Sequence, residues 1–424
     1  MPNWRRARAP ATKQVVDLTL VVFVLVYAGM ILGGIPGMRI DRTGVALLGA
    51  IALVAFGAIG TEEAWRSVDV PTVGLLAGLM VVSAQFRLGG FYARITRLLA
   101  MRPTSSQRLL LELMLTAGGL SALLTNDVVC LAVAPVLVDV CRRRALDPVP
   151  FLLGLAAASN VGSAATLIGN PQNMLIGQQL QLSFRAYLLD GAPVAFAGLF
   201  VAWLILCRAY RGMWERTTEG PVHAETAFDR WQTIKGLVVL ALLTVGLVAT
   251  SVPREVLAVG AGGILLLSRR MATRSMLGLV DWQLCVLFGG LFVVNHALTA
   301  AGHTAAGIAW LQQQGVDLTH APSLFAVTAL GSNVISNVPL VMLLLQPAGE
   351  AHAGALLALT STLSGNLLLV GSIANLIVVE QAALLGVAPR QHSWVREHMR
   401  TGIPITLATL ALAAGWLAVR ASFA

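Results

Sequence analysis

Charge is scarce in this sequence. Only 12% of its 424 residues are charged and 57% are hydrophobic, and a mean hydropathy of +0.77 leaves too little polar surface for a soluble domain of this size. Cysteine is scarcer still. Cys130, Cys141, Cys207 and Cys285 stand singly in apolar surroundings without CxxC spacing, which argues against a disulfide framework or a zinc site and for small packing residues. A glycine-rich phosphate loop is missing, so ATP hydrolysis by the chain itself is not expected, nor is any other cofactor. The longest polar stretch, about 208–234, is too short to bury a core of its own, which excludes a soluble catalytic domain. A cleavable signal peptide is not expected either: the first apolar run begins after about fifteen residues, is long enough to span a bilayer and lacks a small-residue cleavage pattern.

What is present is apolar sequence in twelve runs, from about 16–34 to about 402–421, most of them near the roughly 17–25 residues that cross a bilayer as a helix. The fold expected is an all-α polytopic membrane protein of the plasma (inner) membrane, with membrane lipid as a partner. The net charge of +9 does not point to nucleic acid, because the basic residues lie in short loops where they act as topology signals. With the loop after the first span placed in the cytoplasm, the arginines within 39–42, 94–108, 142–144, 208–216, 269–274 and 390–400 fall inside. Glu62, Glu63, Asp69 and Glu350 fall outside, as the positive-inside rule requires. Arg5, Arg6, Arg8 and Lys13 of an N-terminal arm over 1–15 dissent.

The same bookkeeping divides the chain into two halves. A first half over 16–208 holds a hairpin at about 109–141 and a broken helix at about 151–180. A cytoplasmic linker over 209–234 leads to a second half over 235–421, with a hairpin at about 322–346 and a broken helix at about 353–381. Each half makes five crossings and one re-entrant hairpin. An odd number of crossings starts the second half on the opposite side, so the halves read as inverted-topology repeats, the hallmark of a secondary transporter with a site near the midplane.

The polar residues recur with the halves. The first hairpin carries Thr125, Asn126 and Asp127, and the helix after it reads "SNVGSAATLIGNPQN", with Gly162, Gly169, Asn170, Pro171 and Asn173 mid-span. The second hairpin carries "SNVISNVP", with Ser332, Asn333, Ser336, Asn337 and Pro339. The helix after it carries "LSGNLLLVGSIAN", with Gly365, Asn366, Gly371, Ser372 and Asn375. A helix broken inside a membrane frees backbone groups, which is tolerable only where they line a cavity or bind something. Freed carbonyls and Asn oxygens suit cations; helix N-termini and Asn or Ser donors suit anionic or hydroxyl-rich cargo.

These motifs, "TNDVVCLAVAPVLV" with "ATLIGNPQNMLIG" and "SNVPLVMLL" with "GNLLLVGSIANLIVVE", resemble the ion transporter superfamily, which includes arsenite permeases, sodium/proton antiporters and sodium-coupled dicarboxylate symporters. The resemblance covers nearly all of the chain after residue 16. It implies a scaffold part and a moving transport part, and in the dicarboxylate branch a homodimer with elevator-like motion. The symporter branch carries Ser-Asn-Thr at both tips, whereas this chain has Asp127 in one third position and Val338 in the other. The Asn-Asp pair is similar to the arsenite permease and antiporter side.

Asp127 then carries the functional reading. An ionisable group in so apolar a stretch normally faces protein or a water-filled cavity. When ionised it would repel a dianion, and it could load and release a proton as cargo alternates. The favoured reading is proton-coupled export of a small oxyacid or inorganic anion, arsenite above others, with Thr125, Asn126, Asp127, Gly169, Asn170, Asn173, Ser336, Asn337, Gly365, Asn366, Gly371, Ser372 and Asn375 lining the site. Sodium/proton exchange and sodium-coupled uptake of an inorganic or carboxylic anion stay open, so the coupling ion is H+ or Na+. A membrane-embedded enzyme is the weakest reading, since His296, the only histidine expected deep in a span, has no second catalytic motif beside it. Asp139, Glu112, Asp190 and Glu380 read as rim charges.

Overall fold

The computed structural model describes residues 13–216, 227–346 and 351–422. Residues 1–12 of the N-terminal arm, 217–226 of the linker and Glu350 therefore lie outside the described residues. Among those described, the chain is all helical and forms no strand beyond two isolated bridges, Gly34 to Asp41 and Leu146 to Glu215. Helices satisfy their own backbone groups, which is what hydrocarbon surroundings demand.

The element order runs through twice. The first run comprises α1 (Lys13–Leu32), α2 (Arg42–Ala55), α3 (Thr61–Ser67), α4 (Val70–Leu88), α5 (Phe91–Ala100), α6 (Ser106–Leu123), α7 (Asn126–Arg143), α8 (Pro148–Ser163), α9 (Pro171–Gln179) and α10 (Phe184–Ala209). The second comprises α11 (Arg230–Ala249), α12 (Arg254–Leu266), α13 (Thr273–Leu277), α14 (Trp282–Ala300), α15 (His303–Gln313), α16 (Ala321–Ile335), α17 (Asn337–Leu344), α18 (Ala351–Ser364), α19 (Ile373–Leu384) and α20 (Trp394–Ser422). Side-chain caps fix several starts: Asp41 accepts from the Gly44 amide, Asp147 from Val149, Ser183 from Ala186 and Asp229 from Gln232, each satisfying an amide the helix leaves open.

Among the described residues, five helices are long and apolar enough to cross a bilayer: α4, α10, α11, α14 and α20. The four apolar runs read from the sequence as hairpins or broken helices are not continuous helices. The runs at 109–141, 151–180, 322–346 and 353–381 are each split into two helices. The physical cause is local: Asn170 caps α9 with Pro171 at its first position, and Ser372 caps α19, so a new helix starts where the old one would have continued.

The chain forms two compact units, one over residues 1–70 and 282–317 and one over 71–281 and 318–424. In the first, α14 lies against α2 so closely that a Cβ on Gly290 would stand 2.8 Å from the Ala46 carbonyl. In the second, a Cβ on Gly78 in α4 would stand 2.5 Å from the Ala258 carbonyl carbon in α12. Gly78 and Gly290 occupy the same place in their helices, as do Ala46 and Ala258. Small residues that bring backbones together are the usual means of packing helices in lipid. Gly162 belongs to this class too. Placed by the sequence among the mid-span break residues, it lies inside α8, where a Cβ would meet the Gly118 Cα of α6 at 2.3 Å.

Candidate functional site

Residues 159–173 and 361–375 align without a gap, sharing Ser159/Ser361, Gly169/Gly371 and Asn173/Asn375. Each stretch holds the end of one helix, a break, and the start of the next. In the second compact unit the two stretches face one another, and their hydrogen bonds repeat.

Asn160, at the end of α8, donates to Asn375 Oδ1 at 3.0 Å and to Asn366 Oδ1 at 2.9 Å, and its Oδ1 accepts from Ser372 Oγ at 2.8 Å. Its aligned partner Thr362, at the end of α18, donates to Asn173 Oδ1 at 3.0 Å and accepts from Asn170 Nδ2 at 3.2 Å. Since Asn173 aligns with Asn375 and Asn170 with Ser372, these are the same contacts seen twice. Asn173 also donates to the Thr166 carbonyl and Asn375 to the aligned Leu368 carbonyl. Asn375 donates as well to the Gly365 carbonyl, tying off the second break.

The hairpin tips join the same network. The Asn126 amide donates to the Gly169 carbonyl at 3.1 Å, its side chain donates to Asn160 Oδ1 at 3.2 Å, and its carbonyl accepts from Ser159 Oγ at 3.0 Å. With its amide oriented by its surroundings, Asn337 donates to the Gly371 and Ser361 carbonyls at 3.3 and 3.2 Å. Glycine is required at the first break, where a Cβ on Gly169 would fall 2.3 Å from the Ser163 carbonyl oxygen; at the second, a Cβ on Gly371 would fall 2.6 Å from Asn333 Oδ1, a side-chain atom.

Of the residues expected in the site, Asn126, Gly169, Asn170, Asn173, Asn337, Gly365, Asn366, Gly371, Ser372 and Asn375 share this network. Thr125, Asp127 and Ser336 are at the tips but outside it. Asp127 is half-buried in the first turn of α7 and makes no hydrogen bond or ion pair among the described residues. A carboxylate there is favoured by the helix dipole. Its chain neighbours carry buried polar atoms without a partner, Thr125 Oγ1 and Asn126 Oδ1, and the network holds a third, Asn366 Nδ2. In native structures such atoms are few and call for a ligand or another explanation.

The tips also differ in strain. Two residues, Leu124 and Thr125, connect α6 to α7, with Thr125 in ordinary extended backbone. A single residue, Ser336, connects α16 to α17, at φ 83° and ψ 154°. That region is nearly glycine-only and costs about 1–3 kcal/mol for other residues.

Sequence reasoning missed the two residues at the centre, Asn160 and Thr362, although both lie in the stretches it compared. The gapless alignment is the signal that finds them, because it puts the two in register at helix ends. It also missed His398 of α20. That ring is buried and meets the Asn366 carbonyl at 2.9 Å. His296, the histidine singled out from the sequence, is instead half-exposed in the first unit beside Glu63 at 3.2 Å. Of the rim charges, Glu112 pairs with Arg108 at 3.1 Å and Asp190 with Arg420 at 2.9 Å.

Comparison with known proteins gives one family and consistent relatives. The family model described as Citrate transporter matches residues 27–363. A "46 kDa membrane protein" of Mycobacterium leprae is 31% identical over 95% of this chain and 98% of its own length. The "Silicon efflux transporter LSI3" of rice, Oryza sativa subsp. japonica, is 28% identical over 85% of this chain and 89% of its own. Among solved structures, the Alcanivorax borkumensis YdaH transporter, described as having an unusual topology, aligns with a TM-score of 0.57. It covers 97% of this chain and 98% of that one at 14% identity, a likeness of fold alone.

Proposed function

The chain belongs to the citrate transporter family, multi-pass membrane secondary transporters rather than enzymes, and within it we propose proton-coupled export of a small hydroxyl-rich oxyacid, with arsenite as the leading cargo. The observation that carries this reading is Asp127, half-buried and unpaired beside Thr125 Oγ1 and Asn126 Oδ1, which lack partners. Each negative charge on a cargo held about 4 Å from an ionised Asp127 would cost about 4 kcal/mol at an effective dielectric constant near 20. A dianion or trianion is penalised repeatedly. An undissociated acid is not, and its hydroxyls both donate to Asn126 Oδ1 and accept from Asn366 Nδ2. The rice relative's name, a silicon efflux transporter, supports the same class, since silicon in neutral water is an uncharged hydroxyl-rich acid.

In this reading the recurring hairpins are re-entrant, the two runs of elements are inverted repeats spanning 16–208 and 235–421, and Asp127 loads a proton when cargo leaves. A homodimer with elevator-like motion is the expected working form. A second reading is sodium-coupled uptake of a carboxylic anion. The family's description favours it, as do the N-termini of α9 and α19, which begin at the two breaks and suit an anion.

The test is flux into proteoliposomes under an imposed pH gradient, with arsenite, silicic acid, sodium and citrate offered in parallel and Asp127→Asn beside the parent. Arsenite or silicic acid movement that needs the gradient and falls at least tenfold in the variant is the expected result. Sodium-dependent citrate uptake that ignores the substitution would overturn it.

A further inference from the structure

A cavity of about 780 Å³ lies in the second compact unit, away from the hairpin tips, where the start of α10, the end of α20 and the starts of α16 and α18 meet. Its size falls in the range of small-molecule sites, roughly 300–1,000 Å³. Much of its wall is alanine, including Ala186, Ala355, Ala414 and Ala418, among larger apolar side chains such as Phe325 and Leu417. The aligned place at the other end of the unit is filled by contrast: Tyr210 bonds the buried Glu397 there, and Phe151 packs on Trp214.

Charge sits at one edge of the cavity. Asp190 Oδ1 and Arg420 Nε pair at 2.9 Å, with side chains 18% and 39% exposed. Both helices carrying this pair are long and apolar enough to span the bilayer. Asp190 lies within about two turns of the start of α10, and Arg420 is two residues from the end of α20, so the pair stands at the depth where lipid headgroups and snorkelling side chains meet. We propose that this cavity binds one zwitterionic phospholipid, with an acyl chain among the alanines, its phosphate on Arg420 and its ammonium on Asp190. An ion pair offers both signs at once. That is the complement of a zwitterion and not of an anionic headgroup.

The cavity touches the transport site through one side chain. Tyr187 is among the residues that line it, while the Tyr187 hydroxyl accepts from Asn173 Nδ2 at 3.1 Å and donates to the Ala164 carbonyl at 2.9 Å. An acyl chain packed against Tyr187 holds its hydroxyl on Asn173. Lipid occupancy is thereby coupled to the break that Asn173 stabilises.

The test is lipid retention by the delipidated full chain, measured by native mass spectrometry with phosphatidylethanolamine, phosphatidylglycerol and palmitate offered separately. Ala186→Phe and Ala418→Phe fill the cavity from exposed positions and leave the core untouched. The expected result is one tightly held phosphatidylethanolamine per chain that both variants lose, with phosphatidylglycerol and palmitate held at least tenfold more weakly. Equal retention by parent and both variants, or of all three lipids, overturns the proposal. In phosphatidylglycerol vesicles, added phosphatidylethanolamine should raise flux of whichever cargo the parent moves at least twofold, and not in Ala418→Phe. Failure of that rise overturns the coupling through Tyr187 whatever the cargo proves to be.

Discussion

Replacing Asn160 by alanine removes the residue on which both halves of the site converge. The side chain is 2% exposed and uses its full capacity: two donated bonds, to Asn366 and Asn375, and two accepted, from Asn126 and Ser372. Interhelical bonds in a bilayer average about 0.6 kcal/mol and reach about 1.7, so four of them put the loss at about 2.4 kcal/mol or more. The partners raise it. Among the described residues Asn375 Oδ1 and Asn366 Oδ1 have no other donor, so the loss leaves buried amide oxygens open at about 1–3 kcal/mol each. A total of about 3–5 kcal/mol follows, in the range reserved for broken buried networks. Thr362→Val is the control, since valine keeps the shape and removes three contacts of 3.0–3.4 Å, for about 1–2 kcal/mol. Unfolding in mixed micelles, followed by intrinsic fluorescence, compares the two. If Asn160→Ala costs less than about 1.5 kcal/mol, or no more than Thr362→Val, the network is not what joins the broken helices.

Three further outcomes are expected. Gly162→Ala drives a Cβ to 2.3 Å from the Gly118 Cα; the backbones of α8 and α6 must part, so the yield of monodisperse protein should fall sharply, and a normal yield would disprove the contact. Ser336→Gly relieves a backbone strained by about 1–3 kcal/mol against about 0.5–1 kcal/mol of added glycine entropy, so the unfolding midpoint should rise while transport weakens from the lost hydroxyl. A lowered midpoint would contradict the single-residue turn. Asp147→Asn removes the buried charge that pairs with Arg390 and, at 3.9 Å, with Arg216. It leaves two guanidinium groups without their anion, so stability should fall by about 3–5 kcal/mol, measured by the same unfolding assay.

The sequence made the membrane class legible because hydrocarbon is an unforgiving solvent: with so few charges, little but helices could hold these apolar runs. The hairpin tips and breaks were legible for a related reason, since Asn, Gly and Pro clustered mid-span needed an explanation and occurred twice. Hydropathy alone averages over Ser336 and over the break at residues 164–170; it was the Asn, Gly and Pro within those runs, where one cap or one turn outweighs the surrounding leucines, that marked them. Asn160 was passed over because it lies inside a regular helix with small neighbours, and nothing local distinguishes it from a packing residue. Only its partner across the pseudo-symmetric frame, Thr362, assigns it a place. His398 carried no signal at all, because the carbonyl it meets is defined by a helix break more than thirty positions away.

The two halves of the site share contacts but not chemistry, and the division between the two has a physical logic. Each hairpin tip must be held against a broken helix, and the demand is identical in both halves, so Asn126 and Asn337 and the glycines at 169 and 371 recur. In the proposed reading the cargo lies between the tips and has no such twofold symmetry, so the residues free to face it need not match. Those residues are the ones that differ: Thr125 in relaxed backbone against Ser336 in strained backbone, and Asp127 against Val338. In that reading the recurring contacts fix positions, while selectivity falls to the residues that differ and to the unpartnered Asn126 Oδ1 and Asn366 Nδ2.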